Sequence, residues 1–229
     1  MLLIFDLDGT LFQAKSVVQR VGLDTSQPDY PKRLCAAIHD CGALFPGVYE
    51  MLMCLHNAGH ELVVCSKSPM EYIELVLKHT GIAEFFVRCY SSEWYASKTE
   101  IVREITAPDA HAVVIGDTHG DISAASENGL RSIAAVYGYG NKSMLEHADY
   151  FANMPEEIAQ KSYCYHSNIE KKYCHYDGVA YNHYVSLSSQ ARIMSFSFPA
   201  NSASFSEVCN NAENTSGMSS GAYPAKWVS

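Results

Sequence analysis

Residues 1–10 read MLLIFDLDGT, and this stretch decides what to expect from the rest of the chain. Leu2–Phe5 is an apolar run typical of a buried strand. Asp6 and Asp8 alternate with Leu7, so both carboxylates leave the same end of that strand, where Gly9 permits a sharp turn. Ligands of open α/β sheets bind at the carboxyl ends of the strands. The stretch therefore predicts a ligand site, the alternative being a turn with two solvated acids.

The composition indicates a folded protein. The chain has 229 residues, of which 48% are hydrophobic, which is enough for a full core. Its net charge of −9 argues against a nucleic-acid partner, because such partners are bound through basic surfaces. No apolar run approaches the length that spans a bilayer, and the first strand begins at Leu2, leaving no room for a signal peptide. We therefore expect no membrane contact and a cytoplasmic location.

Strand-like and helical segments alternate along most of the chain. After the first strand, apolar runs predict strands at the following positions: 61–65, 85–88, 112–116, 132–136 and 148–151. Segments with helical spacing separate them. Strict alternation predicts an α/β fold of three layers, with a Rossmann-like parallel sheet between two layers of helices. Beyond Lys161 the chain is rich in Tyr, Ser and Asn and loses helical periodicity, so residues 161–229 are expected to be a C-terminal extension, either β or partly disordered.

Four polar features follow predicted strands and would meet at one edge of the sheet: Asp6 with Asp8, Ser66, Lys98, and Asp117 with Asp121. Carboxylates gathered in this way repel one another unless a hard cation lies between them, and oxygen ligands suit Mg²⁺. A hydroxyl and an ammonium group can hold phosphate oxygens. Taken alone, Ser66 could instead cap the following helix, and Lys98 could be a solvated helix residue. Together the four features predict a site that handles phosphate.

These motifs resemble those of the haloacid dehalogenase-like (HAD) hydrolases. DLDGT, Ser66, Lys98 and GDTHGD occur in the order of that family's four motifs, and the resemblance covers roughly residues 1–160. The sequence after the fourth motif, which contains GYG at residues 138–140, is most similar to the phosphoglycolate-phosphatase-like branch. The resemblance implies a HAD-like phosphatase core at 1–160, with a reduced helical cap at about 12–44, followed by the extension at 161–229.

The resemblance also implies a role for each site residue. Asp6 would be the nucleophile that forms an aspartyl-phosphate, and Asp8 would protonate the leaving oxygen and then activate water. Ser66 and Lys98 would bind the transferred phosphoryl group and stabilise Asp6. The implied activity is hydrolysis of a phosphate monoester on a small metabolite, such as phosphoglycolate, a sugar phosphate or a nucleotide.

The resemblance also implies a Mg²⁺ site formed by four aspartates. Asp6, the backbone carbonyl of Asp8 and Asp117 would bind the ion directly, and Asp121 would support it through water or an indirect contact. Transition-state charge would then be met by the metal and by Lys98.

Two departures from the family keep other functions open. The segment before Pro46 is about half the usual cap length, and no second cap is inserted between Ser66 and Asp117. An open site of this kind could accept a phosphate on a protein or a nucleic acid. Alternatively, the chain could be a HAD-like binding or regulatory protein whose extension contacts a partner or a second copy. The extension also contains Cys164, His166, Cys174 and His175, whose spacing is imperfect for zinc.

Overall fold

The computed structural model describes residues 1–22, 24–107 and 111–166 of the chain. Strands and helices follow one another in this order: β1 (Leu2–Phe5), α1 (Ala14–Val21), α2 (Tyr30–Cys41), α3 (Val48–Asn57), β2 (Glu61–Ser66), α4 (Met70–Thr80), β3 (Arg88–Ser91), α5 (Lys98–Ile105), β4 (Ala112–Gly116), α6 (His119–Glu127), β5 (Arg131–Ala135), β6 (Tyr150–Ala152) and α7 (Pro155–His166). The alternation that the sequence predicts is therefore present. No helix in these ranges is long and apolar enough to cross a membrane.

Within the described residues, the strands form one six-stranded sheet in the order β3-β2-β1-β4-β5-β6. Every neighbouring pair is parallel. β1 lies inside the sheet, with Phe5 in register with Val64 of β2 and with Ile115 of β4. The residues that follow β1 therefore emerge at the carboxyl edge between two neighbouring strand ends, where ligand sites of such sheets form.

Helices cover both faces of the sheet. Alternate residues of β1 point to opposite faces, so its apolar side chains contribute to a hydrophobic core on each face. Leu3 and Phe5 belong to the larger hydrophobic core, which contains buried side chains of α1, α2, α3, α4 and α7. Ile4 belongs to a second core on the other face, built with α5 and α6. This arrangement confirms the predicted α/β fold with three layers.

The segment predicted as a reduced cap contains α1 and α2, and its two ends are joined. The backbone N–H of Gln13 donates to the carbonyl of Ala43 at 2.8 Å, and the side-chain amide of Gln13 donates to the carbonyl of Leu44 at 2.6 Å. α1 and α2 pack against each other, and α2 also packs against α4. The chain thus leaves the core after β1 and returns to almost the same place before α3.

The structure differs from the sequence prediction at two elements. The third strand is β3, Arg88–Ser91, and not 85–88, because Phe85 lies in a short 3-10 turn where its ring packs edge-on against Tyr49 with centroids 5.3 Å apart. Helix α7, Pro155–His166, was not predicted, and it continues past residue 160. The domain division at 160 stays a prediction, and residues 167–229 of the expected extension lie outside the described residues.

Candidate active site

Asp6, Lys98 and Asp121 form a buried charged cluster at the carboxyl edge of the sheet. The Lys98 ammonium donates to Oδ1 of Asp6 and to Oδ1 of Asp121, each at 2.5 Å. Their side chains are only 7%, 7% and 2% exposed for Lys98, Asp6 and Asp121. The predicted residues from the ends of β1, α5 and α6 are therefore brought into direct contact, which rules out a solvated position for Lys98.

The local sequence fixes two members of this cluster at helix starts. Lys98 is the first residue of α5 because the hydroxyl of Ser97 accepts the backbone N–H of Glu100 and so caps the helix. Asp121 lies in the first turn of α6, where its Oδ2 accepts the backbone N–H and the hydroxyl of Thr118 at 3.0 and 2.6 Å. A carboxylate in a first helical turn is also favoured by the helix dipole.

Asp117 follows β4 directly and is fully buried. Its Oδ2 accepts the backbone N–H of Tyr139 at 2.7 Å. Three glycines, Gly9, Gly138 and Gly140, pack so closely around Asp117 that a Cβ atom at any of them would collide with its atoms. At Gly9 the backbone also has φ 89°, a left-handed conformation that favours glycine. The GYG motif therefore lets the chain pass directly over Asp117.

Burial and neighbouring charges shift the pKa values of these groups. Burial raises the pKa of Asp6 and of Asp117 above the ordinary value, and the carboxylate of Asp121 adds to both increases. Lys98 acts in the opposite direction on both acids. Burial alone would lower the pKa of Lys98, but Asp6 and Asp121 outweigh burial and raise it above its usual value. Lys98 therefore stays charged, but its single positive charge does not balance the negative charges of the acids around it.

The donor set fits a hard divalent cation. Asp6, Asp117 and Asp121 each place one carboxylate oxygen within 4.8 Å of the others, and all three are buried. Lys98 contributes one positive charge against these three carboxylates, so the group keeps a net negative charge that is costly to bury. Oxygen ligands of this kind suit Mg²⁺. The carboxylate of Asp8 lies outside this group, and its backbone carbonyl as a ligand stays a prediction.

Asp8 is held by two hydroxyl groups. Ser68 donates to its Oδ2 and Tyr72 donates to its Oδ1, both at 2.8 Å. Burial raises the pKa of the Asp8 carboxyl, and the two hydrogen bonds partly offset that rise. Its surroundings therefore differ from those of Asp6, which is paired with an ammonium group.

Ser66 is the last residue of β2 and is buried. Its hydroxyl accepts the backbone N–H of Ser68 at 3.1 Å and so shapes the loop that carries Ser68. The hydroxyl of Ser66 bonds to the loop and not to helix α4, which begins at Met70, so Ser66 does not cap that helix. A direct role for Ser66 in phosphate binding stays a prediction.

The sequence prediction missed Ser68 and Tyr72. Ser68 lies two residues after Ser66 in the same loop, so its position was a usable signal. Tyr72 gave none, because a tyrosine on an amphipathic helix is ordinarily a core residue. Of the four Cys and His residues with imperfect zinc spacing, Cys174 and His175 lie outside the described residues, and the side chains of Cys164 and His166 are not described. The cysteines whose side chains are described form no disulfide bond with one another.

Comparison with known proteins gives one family. The family model for haloacid dehalogenase-like hydrolases matches residues 19–135, which include Ser66, Lys98, Asp117 and Asp121 but begin after the DLDGT motif. A phosphoglycolate phosphatase from Vibrio vulnificus is 28% identical over 110 residues, covering 45% of this chain and 48% of that protein. A 5'-nucleotidase from Pseudomonas aeruginosa is 29% identical over 109 residues, covering 44% and 49%. The chain thus spans about half the length of these curated relatives.

Solved structures share the fold. A haloacid dehalogenase-like family hydrolase from Streptococcus pneumoniae superposes with a TM-score of 0.58 at 23% identity, covering 70% of this chain and 97% of that one. A predicted phosphatase from Clostridium acetobutylicum gives a TM-score of 0.58 at 21% identity, covering 70% and 96%. The family match takes in just over half of the 229 residues. The chain therefore belongs to the haloacid dehalogenase-like hydrolase family.

Proposed function

We propose that this protein hydrolyses phosphate monoesters of small molecules, using Asp6 as the nucleophile and Mg²⁺ as the cofactor. The observation that supports this most is the buried contact between Asp6 and Lys98 beside the carboxylates of Asp117 and Asp121. A carboxylate held by an ammonium group and placed next to a cation site is suited to attack a phosphorus atom whose negative charge is neutralised nearby.

The proposed reaction has two steps. First, a carboxylate oxygen of Asp6 forms a bond to phosphorus while the bond to the ester oxygen breaks, and Asp8 gives that oxygen its proton, releasing an alcohol. Second, a water oxygen forms a bond to the phosphorus of the aspartyl-phosphate while the bond between phosphorus and the Asp6 oxygen breaks, and the water passes a proton to Asp8. Inorganic phosphate leaves, and both aspartates return to their starting forms. The net reaction consumes one ester and one water.

The remaining residues stabilise charge in this scheme. Lys98 keeps its ammonium beside Asp6 and lies close enough to contact a phosphoryl oxygen bonded to it. Ser66 holds the loop at the end of β2, and its hydroxyl is a further candidate donor to phosphate. When bound by Asp6, Asp117 and Asp121, Mg²⁺ would neutralise the negative charge of the phosphoryl group.

The substrate class follows from the family and its relatives. The relatives include proteins named as a phosphoglycolate phosphatase and as a 5'-nucleotidase, so two-carbon acid phosphates and nucleoside monophosphates are the first candidates, followed by sugar phosphates. The cytoplasmic location, and a partner or second copy bound through residues 161–229, stay predictions.

The test is a steady-state assay of the full chain on a panel of phosphoglycolate, nucleoside 5'-monophosphates and sugar phosphates. We expect Mg²⁺-dependent release of phosphate, abolished by Asp6→Asn. Asp40→Asn is the matched control, because Asp40 is exposed and pairs only with Arg20 and His39 among the described residues. Activity that survives Asp6→Asn or chelation of the metal would overturn the mechanism. Higher activity on phosphopeptides or nucleic-acid ends would overturn the small-molecule assignment.

A further inference from the structure

We propose that Tyr72 and Ser68 are the positioning residues of Asp8, holding its carboxyl group where it delivers a proton to the leaving oxygen of the ester. This inference rests on the proposed function. It extends that function by giving two residues outside the predicted motifs a defined part in the first chemical step. It also separates the residues that serve phosphoryl transfer itself from those that serve departure of the alcohol.

Both oxygens of the Asp8 carboxylate are held by hydroxyl groups. Tyr72 donates to Oδ1 and Ser68 to Oδ2, so each carboxylate oxygen has one fixed partner at 2.8 Å. A carboxylate can accept about four hydrogen bonds, so each oxygen keeps a free position for the transferred proton. Burial raises the pKa of Tyr72 far above its usual value, so the phenol remains a donor at neutral pH.

The segment that carries both donors is itself anchored. The hydroxyl of Ser91, at the end of β3, donates to the carbonyl of Ser68 at 2.8 Å, and the hydroxyl of Ser92 donates to the carbonyl of Lys67 at 3.0 Å. Glu93 accepts the backbone N–H of Met70, the first residue of α4. The loop between β2 and α4 is thus tied to the neighbouring strand end, which fixes the Ser68 hydroxyl before any substrate binds.

Packing also restricts the ring of Tyr72. It lies edge-on to Phe12, with ring centroids 6.5 Å apart and planes at 77°. Phe12 is fully buried, and it lies between the DLDGT motif and helix α1. The phenol therefore has little freedom to rotate away from Asp8. A proton donor held in this way needs no reorganisation when the ester bond breaks, which is the condition for efficient general acid catalysis.

The step that these residues support is transfer of the Asp8 proton to the ester oxygen as its bond to phosphorus breaks. An alkyl ester depends on this proton, because an alkoxide is a poor leaving group. A p-nitrophenyl ester does not, because its phenolate is stable without protonation. Loss of positioning should therefore lower the rate for alkyl esters and spare p-nitrophenyl phosphate, whereas a general structural defect would lower both.

The experiment compares Tyr72→Phe and Ser68→Ala in the full chain, with Mg²⁺, on glycerol phosphate and on p-nitrophenyl phosphate. The quantity measured is kcat/KM, which covers the steps through alcohol release and excludes hydrolysis of the aspartyl-phosphate. We expect each variant to lose about tenfold to a hundredfold on the alkyl ester and less than about threefold on the aryl ester. Asp8→Asn should show the same selectivity with a larger loss.

Tyr95→Phe is the matched control, because it removes another tyrosine hydroxyl that donates to a carboxylate, that of Glu104 at 3.2 Å, away from Asp8. It should change neither ester's rate. Equal losses on both esters, or none, would overturn the positioning role while leaving the proposed function in place. Failure of the unaltered protein to hydrolyse p-nitrophenyl phosphate and every alkyl ester of the panel, glycerol phosphate included, or hydrolysis that survives Asp6→Asn, would overturn the proposed function and the positioning role together.

Discussion

Replacing Lys98 by methionine should destabilise the protein strongly, because it leaves buried carboxylates without their cation. The substitution keeps the length and apolar stem of the side chain but removes the group that donates to Asp6 and Asp121 at 2.5 Å. Removing one partner of a buried ion pair typically costs about 3–5 kcal/mol, since the remaining charge stays desolvated. We expect a loss of this size in the free energy of unfolding at pH 7.5 without metal.

The loss in the free energy of unfolding is limited, because one of the buried carboxyl groups can take up a proton and so lose its negative charge. Protonating an aspartate of ordinary pKa 3.8 costs about 1.36 kcal/mol per pH unit, or about 5 kcal/mol at pH 7.5 and about 2 kcal/mol at pH 5.5. The folded variant would then bind more protons than the unfolded chain, so its stability falls as pH rises. In the unaltered protein Lys98 lowers the pKa values of Asp6 and Asp117, so the variant takes up more protons than the unaltered protein does. The difference in stability between the two proteins should therefore shrink on going from pH 7.5 to pH 5.5.

Urea unfolding at the two pH values measures this effect. Lys78→Met is the matched control, because Lys78 is an exposed helical lysine, and it should change stability by no more than about 0.5 kcal/mol. If Lys98→Met proves too unstable to study, the added change Asp121→Asn should recover much of the loss by removing one carboxylate. A Lys98→Met variant as stable as Lys78→Met, or one whose loss does not depend on pH, would refute this account of the cluster.

Two further predictions concern Asp117. Gly138→Ala should destabilise the protein by more than about 2 kcal/mol in thermal or urea unfolding, because its Cβ would collide with the carbonyl of Gly9 and with Asp117. Gly120→Ala should be neutral or stabilise by up to about 1 kcal/mol, since a Cβ atom at that helical position would make only ordinary van der Waals contacts, with Lys67 and Thr118 at 3.6 Å. An equal loss in both variants would contradict the packing argument. Millimolar Mg²⁺ should raise the thermal unfolding midpoint, and Asp117→Asn should remove most of that shift while Asp40→Asn retains it. A shift that persists in Asp117→Asn would exclude this carboxylate as a ligand.

The charged residues of the site could be predicted because each follows a strand that the hydrophobic pattern reveals. Asp6 comes after β1 and Asp117 after β4, and parallel strand ends necessarily share one edge of the sheet. Lys98 is the first residue of a capped helix. The predicted strand ends, together with the order of the four HAD-like motifs, were enough to predict that these side chains lie near one another.

Other features escaped because their signals are shared with ordinary packing. β3 lies at the edge of the sheet, where the sequence RCYS need not be apolar, whereas the more apolar run just before it contains Phe85, which is buried against α3. Tyr72 resembles any partly buried helix residue until the structure shows its hydroxyl on Asp8. Sequence periodicity reports which face of an element is buried, but it does not report which polar atom a buried side chain meets.

The two aspartates of the opening motif are held by different chemistry, and that difference bears on how the protein would select substrates. Asp6 is fixed by an ammonium group within a cluster of acids, whereas Asp8 is fixed by two neutral hydroxyls. Under the proposed function, Asp6 and its charged neighbours contact the phosphoryl group, which every phosphate monoester shares. Asp8, with its two hydroxyl partners, faces the leaving oxygen, which belongs to a different alcohol in each ester. Changes around Asp8 should therefore alter which alcohols are released, while changes around Asp6 should abolish hydrolysis of all of them.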